Sequence, residues 1–175
     1  MMRRMIRGAL AVVLCLGSMP AFAQGDADCV LNADALKPQI DASKLPKGSK
    51  LLKSEKVKRN HRDVVRLADG TEVTLGVGGC VHLGLSFALK GKAIGPKLTP
   101  AEGVALIRKA LEVMPIKSDA NLQKVIITDA LDALKTVPTA FPVTLTCHEF
   151  ESCELLLEPN EKKETVLTFA YDFPL

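Results

Sequence analysis

Hydrophobic positions along the chain change their spacing twice, from every second residue to a helical period and back again. Between Lys53 and Lys90, Val57, Val64, Val65 and Leu67 lead into Asp69-Gly70, after which Thr71, Val73, Leu75 and Val77 alternate strictly. An Asp-Gly pair between two such runs predicts a hairpin, because the tight turn needs positive φ angles. Gly76, Gly78 and Gly79 interrupt the pattern ahead of Cys80, and Val81, Leu83, Leu85, Phe87 and Leu89 resume it. The expectation is a three-stranded meander with a bulge or tight bend at the glycines, which are less suited to cradling an anion because no helix follows them.

The middle of the chain reads as helix. Thr99-Pro100-Ala101-Glu102 carries an N-cap hydroxyl, a proline at the first helical position and a glutamate at the third. Val104, Leu106, Ile107, Ala110, Leu111 and Met114 then form one apolar stripe that Pro115 ends. Ser118 and Asp119 open a second predicted helix with Leu122, Val125, Ile126, Leu131 and Leu134 inward and Pro138 beyond its end. After Pro142 the alternation returns through Val143, Leu145 and Cys147, through Cys153, Leu155 and Leu157, and through Leu167, Phe169, Tyr171 and Phe173. The order β-β-β-α-α-β-β-β predicts an α+β fold: an antiparallel sheet in two three-strand groups flanking a helical hairpin. Segregated strand and helix runs argue against a parallel, doubly wound sheet.

Residues 1–23 carry three arginines, an apolar run from Ala9 to Leu16, and the ending Ala21-Phe22-Ala23. That pattern predicts a secretory signal peptide cut after Ala23, and hence a periplasmic or secreted protein. The apolar run is short of the ~20 residues that a spanning helix needs and no later segment is long enough either, so no membrane span is expected in the mature chain. Residues 24–50, rich in Asp, Ala, Lys and Pro, read as an irregular arm, and residues 51–175 as a single α+β domain. Cleavage leaves Cys29, Cys80, Cys147 and Cys153, an even number in an exported chain, which predicts disulfide stabilisation. The favoured pairing is Cys147 with Cys153 at a hairpin tip, and Cys29 with Cys80. Cys80-Val81-His82 and Cys147-His148 raise zinc as a rival, but neither has the two-residue cysteine gap, so no metal and no cofactor are expected. The absence of a Cys-x-x-Cys pair argues against a redox enzyme.

With 47% apolar and 25% charged residues in 175, the composition is that of a globular protein. The formal charge of +3 falls to zero once the signal's three arginines are removed, which excludes a generally basic nucleic-acid binder. Charge is unevenly placed all the same: Lys44 to Arg66 holds nine Lys/Arg and two acids, and Cys147 to Asp172 holds seven acids and two lysines. The plain explanation is a pair of neighbouring, mutually attracting strands or two solvated faces. The functional one is a basic stripe, Lys53, Lys56, Lys58, Arg59 and Arg62, facing an acidic partner or anionic polymer.

A second candidate surface is the tip His148-Glu149-Phe150-Glu151-Ser152-Cys153-Glu154, together with His82. A closed loop with one aromatic and three carboxylates loses little entropy on entering a partner's groove. His61, His82 and His148 are the side chains whose ordinary pKa lies near neutrality. None stands beside a nucleophile motif: Gly-x-Ser-x-Gly, His-Glu-x-x-His and the phosphate loop are all missing. Glu149 and Glu151, two apart on a strand, share a face and do not enclose a glycoside from opposite sides. The resulting expectation is an exported, non-enzymatic binding protein, most concretely an inhibitor or immunity protein against an envelope-acting hydrolase. The alternatives are a small periplasmic hydrolase using His82 and His148, and a module that binds an anionic envelope polymer.

Overall fold

The computed structural model describes residues 37, 39–80, 82–117, 128, 132, 140–148 and 151–174, with the backbone alone at 82, 145–148, 151, 152, 173 and 174. Seven strands are present: β1 (Lys50–Val57), β2 (Asn60–Arg66), β3 (Glu72–Gly79), β4 (His82–Lys90), β5 (Val143–His148), β6 (Glu151–Pro159) and β7 (Thr165–Pro174). One helix, α1 (Pro100–Val113), lies between β4 and β5. All seven strands join in a single antiparallel sheet of order β1-β2-β3-β4-β7-β6-β5.

This corrects the expected two groups of three strands flanking a helical hairpin. β4 pairs directly with β7, from His82 opposite Pro174 to Leu89 opposite Leu167, so the two groups are one sheet. The physical reason is the continuity of the apolar rows: Leu75, Phe87, Phe169, Leu155 and Val143 stand side by side across five strands, and all are buried. Two separate groups would leave the edges of β4 and β7 unpaired. The first group also has four strands rather than three, because the chain reverses at Lys58-Arg59, with Lys58 at φ 55°. Besides α1, a short 3-10 turn spans Ala42–Lys44; of the second predicted helix only Thr128 and Asp132 are described, both in helical conformation, and the rest lies outside the described residues.

The disulfide expectation is corrected too, since no two described cysteine sulfurs lie at bonding distance from each other. Cys80 and Cys153 are three strand spacings apart, about 14 Å, well beyond the roughly 7 Å that a bridge between Cα atoms tolerates. Cys29 and the Cys147 side chain lie outside the described residues, and with them both expected pairings, Cys29 with Cys80 and Cys147 with Cys153.

Local chemistry accounts for the elements that position the site. Gly70 takes φ 87° in the β2–β3 turn, and Asp69 Oδ1 accepts a 2.9 Å bond from the Thr71 N–H. At α1 the Thr99 hydroxyl accepts from the Glu102 N–H while Glu102 Oε2 accepts from the Thr99 N–H at 2.8 Å, a complete capping box with Pro100 at the first position. Val104, Ile107, Ala110 and Leu111 are its buried stripe. At Gly103 an added Cβ would stand 3.1 Å from Leu167, so the helix lies close against the sheet. Val65, Val73, Leu89 and Leu167 continue the core beneath it. No helix among the described residues is long and apolar enough to cross a membrane.

The glycine segment departs from expectation in part. Gly79, at φ 139°, stands at the reversal from β3 into β4, with a bend at Cys80, but β3 keeps an unbroken register with both neighbours through Gly76 and Gly78, which make neither bulge nor bend. They permit close approach instead: a Cβ on Gly78 would stand 2.4 Å from Arg59 O, and one on Gly76 would stand 2.4 Å from Ser86 Oγ.

Candidate functional site

Strand alternation gives the sheet two unlike faces. One carries Val73, Leu75, Leu85, Phe87, Leu167 and Phe169 toward α1. On the other, the row Arg62, Gly76, Ser86, Ala170, Glu154 runs across β2, β3, β4, β7 and β6. Beside it runs Asn60, Gly78, Gly84, Asp172. The floor of this second face is therefore made of residues with almost no side chain. Arg62 and Glu154 are four strand spacings apart, about 19 Å along a flat sheet, yet both line one groove of about 550 Å³ together with Val57 and Asp172. Curling of the sheet toward this face brings the walls around the floor.

Charge around the groove is mostly paired. Glu55 meets Lys53 at 2.7 Å and Arg62 at 2.6 Å, and those two cations hold its carboxyl below the usual range. At the far end of the same face, Arg66, Glu72, Lys90 and Glu164 form a ladder with separations of 2.6, 2.9 and 3.2 Å. Arg66, then Lys90, lowers the Glu72 pKa, and Glu72, then Glu164, raises that of Lys90. Glu154 stands apart from this scheme. It is half-buried on the groove wall, and no ion pair or hydrogen bond among the described residues engages its carboxylate.

The structure distributes the sequence-predicted residues rather than gathering them. Lys53 and Arg62 share the open face, Lys56 lies opposite His61 on the other face, and Lys58 and Arg59 form the turn between the strands. Lys56 and Arg59 have partners of their own. Basic β1 and β2 and acidic β6 are not neighbours, since β3, β4 and β7 lie between them. The mutual attraction of adjacent strands is thus corrected as the explanation of the charge asymmetry. Glu149 and Phe150 lie outside the described residues, and at His148 and Glu151, paired at the start of β6, the backbone alone is described. Among the described side chains of that loop set, Glu154 lines the groove, where it faces Arg62 from the opposite wall.

His82 begins β4 and His148 ends β5, three strand spacings apart, about 14 Å along the sheet. Sequence reasoning passed over a different histidine site. His61 and Asp63 are 5% and 0% exposed, and His61 Nε2 lies 3.2 Å from Asp63 Oδ1 and 3.1 Å from the Ser54 hydroxyl. These residue types suggest a nucleophilic relay, but the geometry does not support one. Serine and aspartate meet the same nitrogen, whereas a relay needs them on opposite nitrogens of the ring. Asp63 is instead an anchor: its Oδ2 accepts the Gln39 and Ile40 N–H groups at 2.5 and 3.0 Å. Ile40 in turn bridges Ile116 beyond α1. The signal available in the sequence was Asp63 standing in phase with buried Val65.

Fold and groove together define a class of architecture, a single curled antiparallel sheet covered by a helix on one face and grooved on the other. Comparison of the chain with protein-family models, with curated proteins and with solved structures finds no match in any of the three.

Proposed function

We propose that this is an exported, non-enzymatic binding protein that seats a protruding segment of another protein in the groove of its open sheet face. The most concrete partner is an envelope-acting hydrolase, which it inhibits. The observation that carries the reading is the groove itself: about 550 Å³ on the face away from α1, with a floor of Gly76, Gly84, Ser86 and Ala170 and charged residues on both walls. A curved trough of this kind presents backbone and small side chains to an incoming convex segment while the charged rim sets orientation. Export rests on the pattern of residues 1–23.

A binder is favoured over a hydrolase by the separation of His82 from His148 and by the shared nitrogen in the Ser54, His61 and Asp63 cluster. It is favoured over a polymer-binding stripe because the five basic residues fall on two faces and a turn, with Lys53 and Arg62 already bound to Glu55.

Affinity capture from envelope extract, with the protein and its Ala170→Leu variant as baits, tests the proposal. Ala170 is on the groove floor, so leucine fills the groove and leaves the core face untouched. The expected result is one stoichiometric hydrolase on the parent protein, inhibited by it in solution and absent from the variant. Failure to retain any hydrolase, or equal retention by both baits, overturns the reading.

A further inference from the structure

We infer that Glu154 is the receptor for a cationic side chain, arginine or lysine, carried by the segment that enters the groove; this rests on the binding function proposed above. On the open face Glu55, Glu72 and Glu164 are each neutralised by a lysine or arginine within 3.2 Å. Asp172, also on the groove, has an interaction of its own. Glu154 is the half-buried carboxylate left without a counter-charge among the described residues, while Glu158 farther along β6 is exposed and stands outside the groove.

Register explains why nothing among the described residues of the sheet neutralises Glu154. Its neighbours in the row are Thr144 on one side and Ala170 on the other, then Ser86, none of them charged. The cation at the end of the row, Arg62, stands on the opposite wall and is bound to Glu55. An ionised carboxylate that is partly withdrawn from water and lacks a partner is costly when a protein closes over it, unless the incoming surface brings the opposite charge. A cationic side chain supplies a charge-assisted hydrogen bond at that point, and the alanine and glycine floor leaves room for its stem.

The test uses the purified, 15N-labelled protein and two blocked pentapeptides, Gly-Ser-Arg-Ser-Gly and the same peptide with neutral citrulline in place of arginine. Millimolar arginine peptide is expected to move the amide signals of Gly84, Ser86, Glu154 and Ala170. Affinity is expected to be about tenfold weaker for the citrulline peptide and for the Glu154→Gln variant, and largely restored in Glu154→Asp. Absence of shifts, shifts indifferent to citrulline, or shifts unchanged in Glu154→Gln would overturn the assignment. Capture of the hydrolase separates this from the parent proposal. Loss with Ala170→Leu but not with Glu154→Gln removes only the role of Glu154, whereas retention by both variants removes the groove as well.

Discussion

Asp63 is the only acid buried among the described residues, and its carboxylate is fully used: two backbone N–H groups of the N-terminal arm on one oxygen and His61 on the other. Replacing it by alanine strands two buried backbone donors, each costing about 1–3 kcal/mol. Asp63→Ala is therefore expected to lower the urea-unfolding free energy by about 3 kcal/mol, with Asp63→Asn in between because an amide oxygen still accepts. A loss below about 1 kcal/mol would show that the arm does not depend on this anchor. The strand glycines give a sharper contrast. A methyl on Gly78 would stand 2.4 Å from Arg59 O and 2.7 Å from Asn60 Cα, both backbone atoms that move only if β2 moves. A methyl on Gly84 would find only Gly78 O at 3.4 Å, and Gly84 lies outside the left-handed region. Gly78→Ala is expected to cost about 1–3 kcal/mol as overpacking, and Gly84→Ala to be neutral or to gain up to about 1 kcal/mol by restricting the unfolded chain. Thermal melts of the two variants in parallel check this; equal destabilisation would mean that the close approach at Gly78 is not what requires glycine there.

At the scale of elements, legibility followed punctuation. α1 was readable to its first turn because Thr99, Pro100 and Glu102 act through bonds inside one short segment. Thr99→Ala is accordingly expected to cost about 1 kcal/mol, read as a shifted denaturation midpoint with unchanged slope. The alternation in β3, β4, β6 and β7 was readable because one face of each is buried. β1 was not. It is an edge strand with no buried residue, its register slips between Leu51 and Lys53, and its turn to β2 contains no glycine. Instead Lys58 carries φ 55°, a conformation that costs an L-residue about 1–2 kcal/mol, against about 0.5–1 kcal/mol of extra chain entropy for glycine. Lys58→Gly is therefore expected to raise stability by about 0.5 kcal/mol, the difference between those costs; a lowered melting temperature would show that the lysine side chain contributes contacts that outweigh the strain. The order of strands was out of reach for another reason. Pairing of β4 with β7 joins segments on either side of the helical region, and local periodicity carries no information about which of several compatible strands lies alongside. For the same reason the groove was invisible: its floor glycines were legible as residues, but Arg62 and Glu154 become opposing walls only through that pairing.

Across the whole molecule, the strand order places basic β1 and β2 at one margin and acidic β6 toward the other, and pairs across the open face tie the intervening strands together. The ladder Arg66, Glu72, Lys90, Glu164 spans β2, β3, β4 and the turn before β7, so it is a property of the assembled sheet rather than of any hairpin. Isolated exposed pairs contribute little, and a connected set with shared partners contributes more. Its pH dependence has a definite sign. Arg66 and Lys90 hold the Glu72 carboxyl below its unfolded value, and Asn160, then Lys90, does the same for Glu164. A group whose folded pKa is depressed adds stability that is fully present above its unfolded pKa and disappears as pH falls through the folded one. Lys90 is shifted the other way, upward, by Glu72 and then Glu164, so its contribution is present while those carboxylates are ionised and is otherwise lost only on the alkaline side of the lysine pKa. Melting temperature is thus expected to be level between neutrality and pH 5 as far as these groups are concerned, and to fall below about pH 4.3, where unfolded glutamates begin to bind protons that the folded ones refuse. Glu72→Gln removes the carboxylate shared by Arg66 and Lys90, so its melting curve should start lower at neutral pH and converge on that of the parent as the pH approaches 3. Parallel curves separated by a constant offset would show that Glu72 acts through packing alone, and that the charge ladder does not help to hold the four strands in register.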